Sequence, residues 1–261
     1  MRLAAGLFLC FTLISLLAAQ NGTTTVPMSD PQALSLAAQS ITALTAGNSI
    51  NDVTLTGSVT WLSTETGTAT LTAVGTGESR MDLALTTGTR TEIRDAQTGV
   101  QIGKWINPNN ASGLFASQNC WTDAVWFFPA HGSLAAGPNV VLSYIGQEMR
   151  NDAMVQHIQA YVYQPNWPTG VLPTAQQLST MHFYLDATTL LPVAATFNTH
   201  PDNDGNSNLL TEVDFSNYQN VSGMRVPMHI QRYSQGNLLI DISVSSALFN
   251  TGLPLSDFTI N

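Results

Sequence analysis

Two periodicities divide the chain. In SDPQALSLAAQSITALTAGN the apolar residues Leu34, Ala37, Ala38, Ile41 and Leu44 recur at helical spacing, with Asp30 placed as an N-cap, Pro31 at the first helical position and Gly47 past the end. These features predict a helix with one narrow apolar stripe. From Ile50 onward the period drops to two. In NDVTLTGSVTWL, Val53, Leu55, Val59 and Trp61 point one way and Thr54, Thr56, Ser58 and Thr60 the other, as a half-buried antiparallel strand requires. Further strands are predicted at Thr68 to Val74, Ser79 to Thr86, Thr89 to Asp95 and Val100 to Ile106, with Gly67, Gly75, Gly77, Gly88 and Gly99 as turn residues between them.

The alternation lapses from Asn107 to Pro138. Here QNCWTDAVWFFPAHG gathers Trp121, Trp126, Phe127 and Phe128, and Leu114, Trp121, Val125 and Phe128 fall at helix-compatible offsets. Asn119 and Thr122 offer caps and Pro129 a stop, so two short helical turns are predicted. Strands then resume at Val140 to Arg150, Ala153 to Gln164, Ser179 to Leu185, Leu190 to Asn198, Leu209 to Tyr218, Val226 to Tyr233 and Leu238 to Phe249. About twelve strands joined by short turns predict a mainly β fold, one antiparallel meander whose sheet curls to shelter an apolar face. Two segments are available to cover that face, the N-terminal helix and the aromatic insert at about 107–138.

Composition sets the class. With 44% hydrophobic and 10% charged residues, the 261-residue chain is too apolar for disorder and lacks the long apolar runs of a polytopic membrane protein. Eight Lys plus Arg against seventeen Asp plus Glu give a formal charge of −9. Without a basic cluster there is no counterion-release term, so no nucleic-acid partner is expected. An outer-membrane barrel would need strands of about nine to eleven residues with lipid-facing sides. The helical insert, the Thr-rich outward faces and the non-aromatic C-terminal Asn261 oppose it.

The opening MRLAAGLFLCFTLISLLAAQ pairs Arg2 with an uncharged apolar run that ends in Ala18 and Ala19. It has the build of a secretory signal peptide over residues 1–19, with an uncleaved anchor as the alternative. A flexible leader over 20–29 and one domain over 30–261 follow. Export to the periplasm or cell envelope is the corresponding expectation. Cys10 lies within the run behind Leu9, not at its end behind a small residue, so lipid attachment there is not expected. Cleavage leaves Cys120 alone, unable to form an internal disulfide.

Chemistry is sparse. His131, His157, His182, His200 and His229 show no metal-ligand spacing, and no zinc or other cofactor is expected. Cys120, Asp123 and His131 are a nominal thiol triad, but a buried cysteine acting as a small hydrophobe accounts for Cys120 better. HPDNDGNSN places Asp202 and Asp204 at calcium-loop offsets from His200, yet the first ligand position is His200 and the twelfth Thr211, so a polar strand-joining loop is the better reading.

Two C-terminal stretches carry a resemblance. MHFYLDATTLLPVAATF, with Tyr184, Leu185, Asp186, Leu191, Pro192 and Val193, is followed by DFSNYQNVSGMRVPMHIQRYSQGNLLIDI, with Tyr218, Gly223, Val226, Pro227, Ile230, Tyr233 and Gly236. In these turn and core residues the chain resembles the LolA-like lipoprotein carrier superfamily. The resemblance implies an incomplete, half-barrel sheet whose concave face is covered by helices and which, in the carrier, takes lipoprotein acyl chains. On that basis the expected function is a non-catalytic envelope binding or carrier protein. Its partners would be a lipid or lipoprotein acyl chains and an envelope transport protein, with Trp61, Leu83, Leu85, Trp121, Val125 and Phe128 against the ligand. The rival expectation is a scaffolding protein whose half-barrel is permanently filled by its own side chains. A secreted hydrolase ranks behind both, for want of a triad.

Overall fold

A computed structural model describes residues 27–75, 77–97, 102–122, 139–201 and 203–260. The expected signal peptide, most of the leader, and Val125, Trp126, Phe127 and Phe128 of the insert lie outside the described residues. Helix α1 (Pro31–Thr45) begins where its punctuation predicts: the Asp30 carboxylate accepts from the Gln32 and Ala33 N–H groups at 2.7 and 3.4 Å, and Ala46 ends it in the left-handed conformation. The chain entering it is tied to the sheet. Ser29 Oγ accepts from Leu142 N at 3.0 Å, and Asp30 N donates to Leu142 O at 2.8 Å.

The strands form one antiparallel sheet. In chain order they are β1 (Asp52–Trp61), β2 (Glu65–Val74), β3 (Ser79–Leu85), β4 (Gly88–Asp95), β5 (Ile102–Ile106), β6 (Ser112–Leu114), β7 (Val140–Arg150), β8 (Ala153–Val162), β9 (Met181–Asp186), β10 (Pro192–Thr199), β11 (Leu209–Val221), β12 (Met224–Ser234) and β13 (Asn237–Phe249). Their lateral order is β6-β5-β4-β3-β2-β1-β13-β12-β11-β10-β9-β8-β7, thirteen strands with each hairpin between sequence neighbours. The sheet is open, with β6 and β7 as its edges, and β1 and β13 meet in the middle. A half-barrel meander is therefore the observed architecture. Gly57 sits at the bulge between β1 and β13, where a Cβ would fall 2.1 Å from Ser243 O, so only glycine allows the strands to close there.

Period-two burial makes the inner face. Leu55, Leu71, Met81, Phe183, Phe197, Val213, Ile230 and Ile242 belong to one apolar cluster to which Ala33, Leu36 and Ala37 of α1 contribute. Helix α1 lies against β12 and β7.

Three sequence expectations need correction. Among the described residues the sheet has thirteen strands where about twelve were expected, the addition being Ser112–Leu114, which pairs with β5 as a short edge strand. Leu114 accordingly lies in that strand, largely exposed, and not on a helical turn. Residues Leu172–Ser179 form a helix, α3, that the sequence reading left unassigned; Pro173 in its first turn and only two buried side chains, Ala175 and Ser179, give it a weak signature. It packs on β8, and Ser179 Oγ accepts from Val162 N at 2.9 Å. Among the described residues no helix is long and apolar enough to cross a membrane.

Candidate functional site

The aromatic insert begins inside the half-barrel. After β6 the chain enters a single turn, α2 (Ser117–Cys120), which lies against β5 and α3. Gly103 of β5 shows how close it comes: a Cβ there would meet Phe115 Cδ2 at 2.7 Å, Cys120 Sγ at 3.0 Å and Arg94 Cδ at 3.2 Å. Gly103 pairs with Arg94, which in turn pairs with Ser79 in the register that places Met81 and Leu83 inside, so Phe115 and Cys120 rest on the inner face. Asn119 holds the turn in place by mimicking a strand, donating from Nδ2 to His200 O at 2.8 Å and accepting from His200 N at 2.9 Å. Trp121 then tilts against Trp167 with 5.6 Å between ring centroids.

A cleft of about 550 Å³ opens at the β1–β2 and β3–β4 turns. Trp61, Leu62, Leu85 and Pro108 give it apolar walls, and Glu65, Thr87, Arg90, Asn107 and Asn109 polar ones. Of the six sequence-proposed ligand contacts, Trp61 and Leu85 line this cleft. Leu83 is fully buried in the apolar cluster, while Trp121 is half-buried beside Trp167. Val125 and Phe128 are outside the described residues.

Beside the cleft lies a group of charges that the sequence reading did not pick out. Strand β4 pairs Arg90 with Leu83, Glu92 with Met81 and Arg94 with Ser79, which turns all three toward the inner face; Arg232 of β12 joins them opposite Ile240. Glu92 receives Arg90 Nη2 at 2.6 Å and has Arg232 Nη1 at 3.8 Å and Arg94 Nη2 at 4.0 Å. Burial pushes the Glu92 pKa up, but the three guanidinium charges outweigh it and hold the carboxyl below its usual value. Two rings complete the arrangement: Arg90 lies 4.7 Å over Trp61 and Arg94 3.7 Å over Phe115. In GTRTEIRD the charges alternate with Thr and Ile, a pattern that reads as an outward polar face. Only the pairing register reveals the reverse.

The convex face carries a second polar group. His157 Nε2 and His182 Nδ1 are 2.8 Å apart, and His157 Nδ1 is 3.3 Å from Glu148. Arg150 stacks on Tyr184 and pairs with Glu212, and Asp214 lies on the same strand face as Glu212. Burial lowers both histidine pKa values. Burial, then the charge and hydrogen bond of Glu212, raise Asp214 to about 7. Among the described residues no group of three potential ligands is placed to hold a metal ion. Cys120 is buried, and its proposed partners Asp123 and His131 lie outside the described residues. Asp204 closes its own loop on Asn206 N and Ser207 Oγ, as a polar turn does; Asp202 is outside the described residues.

The residues of the C-terminal resemblance are structural. Asp186 accepts from Thr188 N, Thr189 N and Thr189 Oγ1 and so builds the β9–β10 turn, and Tyr218 donates its hydroxyl to Pro192 O at 2.7 Å. No family model matches the sequence, and no curated protein does. Solved structures do. A domain from Vibrio parahaemolyticus assigned by name to outer membrane lipoprotein sorting matches with a TM-score of 0.52 at 15% identity, over 86% of this chain and 95% of that one. A LolA superfamily protein from Nitrosomonas europaea matches with a TM-score of 0.52 at 10% identity, over 87% and 97%. At these identities the likeness is one of fold: the chain is a half-barrel similar in fold to these two proteins.

Proposed function

We propose that the protein is an exported, non-catalytic envelope protein that holds a lipid or the acyl part of a lipoprotein within its half-barrel. The observation that carries this reading is the cleft at Trp61 and Leu85, of a size typical of small-molecule sites, opening beside an inner face whose apolar cluster is interrupted only locally by the charges of β4 and β12. Apolar burial supplies the driving force, about 0.8 kcal/mol per methylene, and no reacting group is required. The names of the two neighbours, lipoprotein sorting and LolA, support the same assignment. Trp121, with Val125 and Phe128 of the same insert, would act as a lid that competes for the ligand's place and yields to it, and an envelope transport protein would deliver or receive the ligand.

The test is solvent extraction of the purified protein followed by lipid mass spectrometry, with a parallel titration of a fluorescent fatty acid. A co-purifying acyl lipid and saturable binding weakened by Trp61→Ala are expected. Neither lipid nor binding would leave the scaffold reading, which the complete burial of Leu83 and Met181 on the inner face favours. Export has its own measurement: intact mass of envelope material should place the mature N-terminus near Gln20, and a mass retaining Met1 overturns it.

A further inference from the structure

We infer that the Trp61–Arg90 cleft recognises an acidic headgroup, a phosphate or carboxylate, on the amphiphile whose chain the half-barrel shelters, with Arg90 as the binding residue. This rests on the acyl-binding reading. A site for hydrocarbon alone needs no charge, and taking guanidinium groups out of water is costly. Yet β4 turns Arg90 inward, in register with fully buried Leu83, and sets it in the cleft wall against the Trp61 ring.

The wall keeps hydrogen-bond donors that its own acceptors do not use. Arg90 uses Nη2 on Glu92 and Nη1 on Asn107 Oδ1, while its buried Nε–H has no acceptor among the described residues. Asn107 commits its Oδ1 to Arg90, and Asn109 commits its Oδ1 to Ala111 N, so each retains an amide NH2 to donate. The acidic wall residue, Glu65, accepts the Thr87 hydroxyl at 2.7 Å. Its charge opposes an anion, so its removal should strengthen binding if the inference holds.

The experiment titrates the full chain with dodecyl phosphate, dodecanoate, dodecanol and inorganic phosphate, reading tryptophan emission and heat. Both anionic amphiphiles should bind about tenfold or more tighter than dodecanol, as a charge-assisted hydrogen bond to a partly buried guanidinium allows. Arg90→Gln should erase that preference, Arg90→Lys should keep part of it, and Glu65→Gln should enlarge it. The lysine variant preserves a cation beside Glu92 and guards against misreading a folding defect. Equal affinity for dodecanol and the anionic amphiphiles overturns the headgroup inference alone, as does weaker binding in Glu65→Gln. Inorganic phosphate binding as tightly as dodecyl phosphate would assign the cleft to a free anion and overturn its place in lipid recognition. If no amphiphile binds, the acyl-binding reading falls, and this inference with it.

Discussion

The two walls of the half-barrel are built from the same alternating code and used in opposite ways. From β7 to β11 the inner face is closed: Met181, Phe183, Leu185 and Phe197 are each no more than 2% exposed, and the polar chemistry of Glu148, Arg150, His157, His182 and Asp214 is turned outward. From β1 to β6 the inner face is interrupted by Arg90, Glu92 and Arg94, opens into a cleft at Trp61 and Leu85, and receives Phe115 and Cys120 from the insert. One wall is a core. The other combines apolar surface with buried charge, the composition of a site. Inner-face position alone therefore does not bring a residue to the cleft, as Leu83 illustrates: it is fully buried in the apolar cluster beside it.

The largest test of this contrast is Phe197→Ala. A fully buried ring on the closed wall should cost about 3 to 5 kcal/mol in urea unfolding without altering acyl affinity, whereas Trp61→Ala, at a partly buried position in the cleft, should cost less than that and weaken binding. Similar stability losses for both, with no change in binding, would erase the distinction between the walls. Glu92→Gln comes next. Removing the charge of a carboxylate shared by three guanidinium groups should cost about 3 kcal/mol, read by the same unfolding curves. A neutral result would mean that the arginines are satisfied without it.

Trp121→Ala separates cover from core on the open wall. As part of a displaceable cover, Trp121 competes with ligand, so its loss should tighten fatty-acid binding severalfold while lowering Tm by a few degrees. As packing against Trp167 only, its loss should lower Tm and leave binding unchanged.

The smallest effect is expected on the convex face of the closed wall. Asp214 titrates near 7 when folded, against a reference of 3.8, with burial as the main cause, Glu212 adding to it and Arg150 opposing. The folded state then keeps a proton that the unfolded state has already released, so this group favours folding below about pH 4. That contribution declines as pH rises from 4 to 7 and is absent above. Tyr233, Glu212 and Arg150 share the same surroundings. Asp214→Asn should flatten that part of the stability profile, and an unchanged slope would place the titration elsewhere.

Where a residue's role is local, it was legible in the sequence. Asp30 and Pro31 act within a single turn, and β7 runs from Val140 to Arg150 as the alternation predicts, closed by a turn at Asn151 and Asp152 in the left-handed conformation. The apolar stripe of α1 is rotated from the expected one, with Ala33, Leu36, Ala37, Ser40 and Leu44 buried and Leu34 and Ala38 exposed, because contacts with the sheet decide which side packs. Strand β6 was not legible, because three residues cannot establish a period, nor was α3, which buries only Ala175 and Ser179. The charged group of β4 was hidden for another reason. Which side of a strand faces inward is decided by its partners, and an Arg-x-Glu-x-Arg pattern looks solvent-facing until its register with Leu83 and Met81 is known. Trp61 and Leu85 could be placed on the inner face from sequence because they lie on strands whose inward side is plainly apolar.

The pairing of β1 with β13 also bears on the order of assembly. Every other pair of neighbours in the sheet is consecutive in the chain, β8 and β9 with α3 between them, but this seam joins segments so distant that Asp52 receives the Thr251 N–H from 199 residues away. Until β13 is available, β1–β6 and β7–β12 are two separate ribbons, each with a bare inner face and an unpaired flank. Closing so long a loop carries a high entropic cost before any contact rewards it, so this seam should be the slow step of refolding. Asp52, which also accepts from Thr251 Oγ1, Gly252 N and Leu253 N, would then act as the fastener that keeps the finished seam from reopening.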